Sequence, residues 1–255
     1  MSPRLSIWYA TDPLQEKYPN ITSYAYCAGN PILLKDIDGR DAILIVFPDY
    51  SINIYKTPEI KIPFIRKNIK SRKINTNTVG HAGILLIDNK SGLTKYYEYG
   101  RYKTNDGTSG KVRNITVPNV KIGKDGKPTN ESLNNVLKTL SGEAGKNGRI
   151  VGAYVISSEF DKMNSYAINK LNESNIGNPS YNKEREPYSI WNNNCGTFSV
   201  DVIKQDKSVD IPTIINPSPV NIVNEFLEEG NAKVLYFPQN NKTYIGKGDE
   251  ADAKK

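Results

Sequence analysis

The stretch VGHAGILLIDNKSGLTKYYEYG, residues 79–100, decides how the rest of the chain is read. Residues 79–87 are an apolar run interrupted only by Gly80, His81 and Gly83, and residues 94–99 carry three tyrosines among Thr94, Lys95 and Glu98. Both compositions favour strands. Between them, Asp88-Asn-Lys-Ser-Gly92 offers short polar side chains that bond local backbone and a glycine free to take positive φ, so the strands are expected to fold back as an antiparallel hairpin. Small neighbours leave room around His81 at the sheet surface. With the turn centred on residues 89–91, His81 and Glu98 stand roughly opposite each other in the ladder, where the carboxylate can accept a hydrogen bond from an imidazole nitrogen. Alternation selects Glu98 over Tyr97 or Tyr99 for that role.

Working outward, residues 42–47, AILIVF, make another apolar strand candidate, and 112–117, 149–156 and 234–237 three more, the last of these closing the sheet. Helices are expected over 131–140, where Leu133, Val136, Leu137 and Leu140 share a face, over 159–172, with Phe160, Met163, Ala167 and Leu171 inward, and over 220–228. In Trp191-Asn-Asn-Asn-Cys-Gly-Thr-Phe-Ser-Val, three asparagines precede an apolar segment. Asparagine extends a helix poorly and caps one well, so a helix should open at or near Cys195. The mixture predicts an α+β fold, an antiparallel sheet packed with helices.

The 255 residues suffice for a short module plus a mid-sized domain. Two cysteines cannot make a disulfide scaffold, and with a single histidine they are too few soft ligands for zinc, so no metal or other cofactor is expected. Any histidine-dependent chemistry must use His81. The net charge of +7 suits anionic partners without naming one. Lys61, Arg66, Lys67, Lys70, Arg72 and Lys73 follow one another with no acid between them, a pattern that reads as a solvated face; nucleic acid is not an obligatory partner. The longest apolar run, residues 42–47, is far short of the roughly 20 residues that cross a bilayer. The opening residues also lack the basic-then-apolar order of a signal peptide. No transmembrane segment is expected, and export would use a specialised route without a classical signal.

The first forty residues have a different texture. Asp12-Pro-Leu-Gln-Glu-Lys-Tyr-Pro19, Ser23-Tyr-Ala-Tyr-Cys27, Gly29-Asn-Pro31 and Asp38-Gly-Arg40, in this order, resemble the end of an Rhs-associated core. In that family the repeats form a β shell, and a variable toxin follows directly after the last motif. Ile37 stands where the family has proline, the mark of a remnant. The resemblance implies a core remnant over 1–40, a toxin domain over 41–247 and a charged flexible tail over 248–255.

A thiol attacks as thiolate, and a helix N-terminus beside an imidazolium is a common way of favouring that form. Cys195 has the helix start and His81 is the available base, with Glu98 as its orienter. The amides of Cys195 and Gly196, with Asn193 or Asn194 as side-chain donors, are candidates to hold an oxyanion. Tyr97, Tyr99 and Tyr102 read first as packing residues; a functional one, Tyr97 foremost, would line a substrate groove. The blander alternative is a buried structural cysteine, a satisfied strand histidine and an asparagine run that only caps.

A Gly-His-apolar strand, a following strand with an acidic residue and a late Asn-Cys at a helix start resemble the circularly permuted papain-like superfamily. That group includes NlpC-type permuted hydrolases, YiiX-like proteins and relatives of lecithin:retinol acyltransferase. The resemblance implies a cysteine hydrolase working through an acyl-thioenzyme. Its expected substrate is peptidoglycan, as an amidase or peptidase, or protein, as a protease; a lipid acyltransferase or phospholipase is the alternative. It also implies action in a target cell and a cognate immunity protein as partner. A non-enzymatic binding module and a basic nucleic-acid-targeting toxin are the rivals from other classes.

Overall fold

The apolar run after Asp41 lies at the centre of the molecule. The computed structural model describes residues 40–50, 80–102 and 110–246, together with the backbone of two strands at 52–56 and 73–76. In it β1 (Arg40–Phe47) pairs antiparallel with β4 (His81–Ile87) on one side and β7 (Ile150–Ser157) on the other. Ala42, Leu44 and Val46 face one buried layer and Ile43, Ile45 and Phe47 the other. A central strand covered on both faces has no solvent side to alternate with, which is why its sequence is continuously apolar.

Around this centre the order is β6 (Lys111–Ile115), β5 (Thr94–Gly100), β4, β1, β7, β8 (Ala232–Phe237), β9 (Lys242–Gly246), every pair antiparallel. A separate two-stranded ribbon joins β2 (Ile52–Lys56) to β3 (Lys73–Thr76). One sheet face is covered by α1 (Asn130–Glu143), whose Leu133, Val136, Leu137 and Leu140 pack with Ile43, Ile45 and Tyr96. The other is covered by α2 (Phe160–Glu173), α3 (Cys195–Ile203) and α4 (Pro219–Glu228). The fold is α+β, an antiparallel sheet with helices on both faces.

The β4–β5 turn uses the side chains its sequence offers. The Ser91 hydroxyl donates to Asp88 Oδ2 at 2.6 Å, Gly92 N donates to Asp88 O at 2.7 Å, and Gly92 sits at φ +75°. The register corrects one expectation. Ile84 pairs with Tyr97 and Ile87 with Thr94, so Glu98 continues the ladder opposite Gly83, and His81 is its diagonal neighbour. The turn is centred half a residue further along than residues 89–91 imply. Three further elements were not anticipated. These are β2, β3 and β9; the last shows almost no buried face and follows a turn with Asn241 at φ +51°. Strand 234–237 is therefore not the last. The motifs of residues 6–39 with Cys27, the side chains of Arg40 and of the basic run 61–73, and the tail 248–255 lie outside the described residues.

Gly83 carries a packing constraint. A Cβ there would lie 2.1 Å from the hydroxyl oxygen of Tyr96, whose ring is buried across the strand. Gly83→Ala is therefore expected to destabilise the domain by about 1–3 kcal/mol, as overpacking does. Urea unfolding should show a lower midpoint at unchanged slope; an unchanged midpoint would mean that Tyr96 moves aside at no cost.

Candidate active site

The start of α3 is fixed by its own sequence. Asn194 is extended at φ −125°, and its Oδ1 accepts from the amides of Gly196 at 2.8 Å and Thr197 at 3.1 Å. In return Thr197 Oγ1 accepts from Asn194 N at 2.8 Å. This is a capping box with threonine in the reciprocal position. Asn194 Nδ2 donates to Ile190 O and Pro217 O at 3.0 and 3.1 Å, tying the cap to the segment that leads into α4. Cys195 is thereby the first helical residue, 1% exposed. Gly196 lets α4 come close, since a Cβ there would lie 2.7 Å from Ile222 Cδ1.

This arrangement corrects the expected oxyanion donors. The Gly196 amide and the Asn194 side chain are spent in the cap. Asn193 Nδ2 is held by Glu186 O and Pro187 O, both at 3.0 Å. The Cys195 N–H is the helix-start amide that the cap leaves unengaged. Tyr97 does not join the site either. Alternation turns it toward α2, where its hydroxyl donates to Asn164 Oδ1 at 2.8 Å.

His81 opens β4 directly after Gly80, which sits at φ +68°. Its ring lies 6.2 Å from that of Phe47, stacked, and 5.2 Å from that of Tyr50. Nε2 is 3.1 Å from Glu98 Oε2 and 3.3 Å from the Tyr102 hydroxyl. The Cys195 side chain neighbours the same ring closely enough to act on its protonation. The two residues come from different layers. Alternation sends His81 the way of Leu85 and Ile87, toward α1, while Cys195 belongs to the layer of α2 to α4. They meet because His81 is in the end row of the sheet, opposite Phe47, and α3 begins at that same end, where Phe198 packs 6.1 Å from the Tyr99 ring.

Glu98 has no solvent exposure, and four groups share its carboxylate. Oε2 faces His81 and accepts from the Tyr96 hydroxyl at 2.8 Å, while Oε1 accepts from the Tyr102 hydroxyl and from Arg113 Nε. Arg113 stands directly across from Glu98 in the β5–β6 ladder, with its guanidinium 4.3 Å over the Tyr102 ring. Tyr102 folds back onto the strand it has just left because Gly100 has no Cβ, which would meet the ring at 2.9 Å. Sequence reasoning assigned Tyr102 to packing and passed over Tyr96 and Arg113. Alternation alone put Tyr96 on the face of Glu98, but the partner of Glu98 on β6 depends on a register set by the long connection after Gly100.

Electrostatics couple the three groups. Burial works against a charged His81, but the Cys195 side chain and then Glu98 outweigh it and raise the imidazole pKa from 6.5 to about 10. Burial likewise disfavours an ionised Glu98, but hydrogen bonding and charge from His81, then Tyr102 and Arg113, hold its pKa down at about 2. Beside the start of α3 a polar cavity of about 150 Å³ is lined by Asn193, Phe198, Lys170, Glu173, Arg185 and Glu186, among others. Among the described residues no cluster of His, Cys, Asp and Glu suited to a metal ion occurs, and no helix is long and apolar enough to cross a membrane.

The fold falls within a known class of secreted effectors. The chain belongs to the TseH-like type VI secretion system effectors, whose family model matches residues 42–211, a span that contains His81, Glu98 and Cys195. The crystal structure of the type VI secretion system effector TseH is similar at 28% identity and a TM-score of 0.63, over 82% of this chain and 98% of that one. No curated protein sequence matches significantly.

The chain has one histidine, so its imidazole resonances in an NMR titration belong to His81 without assignment. They should titrate far above 6.5, near 10, and move down in Cys195→Ala and in Glu98→Gln, each of which removes a raising partner and leaves burial to lower the pKa. A wild-type midpoint near 6.5 would dissolve the pair. The linked stability has opposite signs at the two groups: the His81 share is complete below about 6.5 and is lost as pH rises through about 10, while the Glu98 share is present above about 4.5 and is lost as pH falls toward about 2.

Proposed function

We propose that residues 41–247 are a cysteine amidase or peptidase that acts on peptidoglycan, delivered as a toxin into competing bacteria. The carrying observation is that Cys195 stands at a capped helix start beside His81, whose Nε2 engages the buried carboxylate of Glu98. In this reading His81 holds the thiol proton, and the thiolate attacks the amide carbon. The oxyanion is met by the Cys195 N–H, and His81 gives its proton to the leaving amine. Water then attacks the acyl-thioenzyme, with His81 as base and Glu98 keeping the ring in one orientation and tautomer. The thiol is buried, so in this reading a local opening precedes substrate entry.

The order of His81 strand, Glu98 strand and Cys195 helix supports a circularly permuted papain-like site. The charged lining of the cavity beside Asn193 and Phe198 favours a polar peptide over a lipid chain. Membership of an effector family supports delivery by a specialised secretion system and a cognate immunity protein in the producing cell. The family match begins at residue 42, directly after the Asp38-Gly-Arg40 motif, which supports reading residues 1–40 as an Rhs-core remnant that carried the toxin.

Wild type, Cys195→Ala and His81→Ala, produced in the cytoplasm and separately in the periplasm of a bacterial host, test this reading. Toxicity is expected in the periplasm from wild type alone, with release of new amino groups from purified sacculi reduced at least about a thousandfold in both variants. Toxicity that survives both substitutions would remove the cysteine mechanism. Toxicity confined to the cytoplasm with intact sacculi would move the substrate to a host protein.

A further inference from the structure

We infer that Arg113 is a positioning residue of this site: from the edge strand of the sheet it fixes and neutralises the buried Glu98, so that the charge of His81 is left to balance the Cys195 thiolate. The inference rests on the cysteine reading above and adds to it a residue that lies outside the cysteine–histidine–carboxylate set.

Its basis is geometric. Glu98 lies on β5 with no solvent exposure, and a carboxylate in that position must be matched. The groups that face the cluster are Tyr50 after β1, with Lys146 4.0 Å over its ring, His81 from β4, Tyr96 from β5, Tyr102 beyond it, Arg113 from β6 and Cys195 from α3. Two of these place a cationic group directly on the carboxylate, His81 on Oε2 and Arg113 on Oε1. With the site in its reactive form, Glu98 and the thiolate are two anions, His81 and Arg113 two cations, and the cluster is neutral. Without Arg113, two anions compete for one imidazolium. Thiolate formation then leaves one negative charge uncompensated in a buried site, which raises the pH at which it occurs.

The fold builds this contact with care. Arg113 is aligned opposite Glu98 by strand register, and the Tyr102 ring, admitted by Gly100, lies under the guanidinium and donates its hydroxyl to the same carboxylate oxygen. The Arg113 side chain remains 39% exposed, so its replacement removes a charge without opening a core cavity.

The test is the pH dependence of alkylation by iodoacetamide, scored by mass spectrometry on the peptide that contains Cys195, in wild type, Arg113→Met, Arg113→Gln and Arg113→Lys, with near-UV circular dichroism to establish that each is folded. The wild-type rate–pH curve sets the reference limb, and His81→Ala is measured beside it. Arg113→Met and Arg113→Gln should shift the rising limb upward by about one pH unit, a roughly tenfold slower rate on the limb. Arg113→Lys, which keeps the charge without the planar fork, should restore most of that shift. Folded Met and Gln variants whose rates change equally at every pH, with the limb in place, would reduce Arg113 to a structural role and overturn the inference while leaving the Cys195–His81 pair intact. A His81→Ala variant whose limb coincides with that of wild type would overturn the pair itself and the inference with it.

Discussion

A carboxylate with no access to water has to be matched group by group, and that requirement at Glu98 shapes the whole end of the sheet. Each of its four partners depends on a separate feature of the chain. Tyr96 lies over Gly83 because that position has no Cβ, and Tyr102 turns back because Gly100 has none. Arg113 arrives by the register of β5 with β6, and His81 by the extension of β4 three residues beyond Ile84, where its pairing with β5 ends. Removal of any of these leaves a buried charge short of a partner, so the local backbone is constrained more tightly here than packing alone would demand.

The second half of the site is built on a different principle. Cys195 needs no counter-charge to be positioned, because backbone capping does it. Asn194 satisfies two helix-start amides with one oxygen and anchors itself with both protons of its nitrogen. The cost is that the asparagines nearest the thiol are no longer available as donors to a reaction intermediate. Rigid placement of the sulfur and a side-chain oxyanion donor compete for the same residues, and at this site placement has won.

Much of this was legible in the sequence, and the reasons are local. The hairpin of β4 and β5 announced itself through Asp88-Asn-Lys-Ser-Gly92, and the start of α3 through the asparagines before Cys195, because turns and caps are written in adjacent residues. Alternation was enough to prefer Glu98 to its tyrosine neighbours. What escaped was non-local. The diagonal offset of His81 from Glu98 turns on half a residue in the turn centre, and the pairing of Arg113 with Glu98 turns on a connection whose length does not fix its path. Tyr97 sits one residue from the site and faces the other layer, which period-two alternation already required. Strand β9 has almost no buried face to produce a hydrophobic signal, and the edge of the sheet rather than its own composition recruits it.

The far end of the same sheet offers an internal comparison. Asp41 is also buried, at 2% exposure, and accepts from Asn89 Nδ2 at 2.7 Å and from the Tyr154 hydroxyl. Burial first, and then Asp41 itself, push the Tyr154 hydroxyl well above the ordinary tyrosine range, so that partner keeps its proton at any working pH. The two buried carboxylates thus solve one solvation problem with different donors. At Asp41 the named donors are an amide and a phenol that hold their protons, and the contact pins β1 between the β4 turn and β7. At Glu98 one partner is an imidazole that also neighbours the Cys195 thiol, and in the proposed mechanism a proton passes between sulfur and nitrogen while the carboxylate charge stays in place. Burial of a charge is common to both ends; a partner whose ordinary pKa lies near the working range, beside a thiol, is what separates the end proposed for chemistry from the end that holds the sheet together.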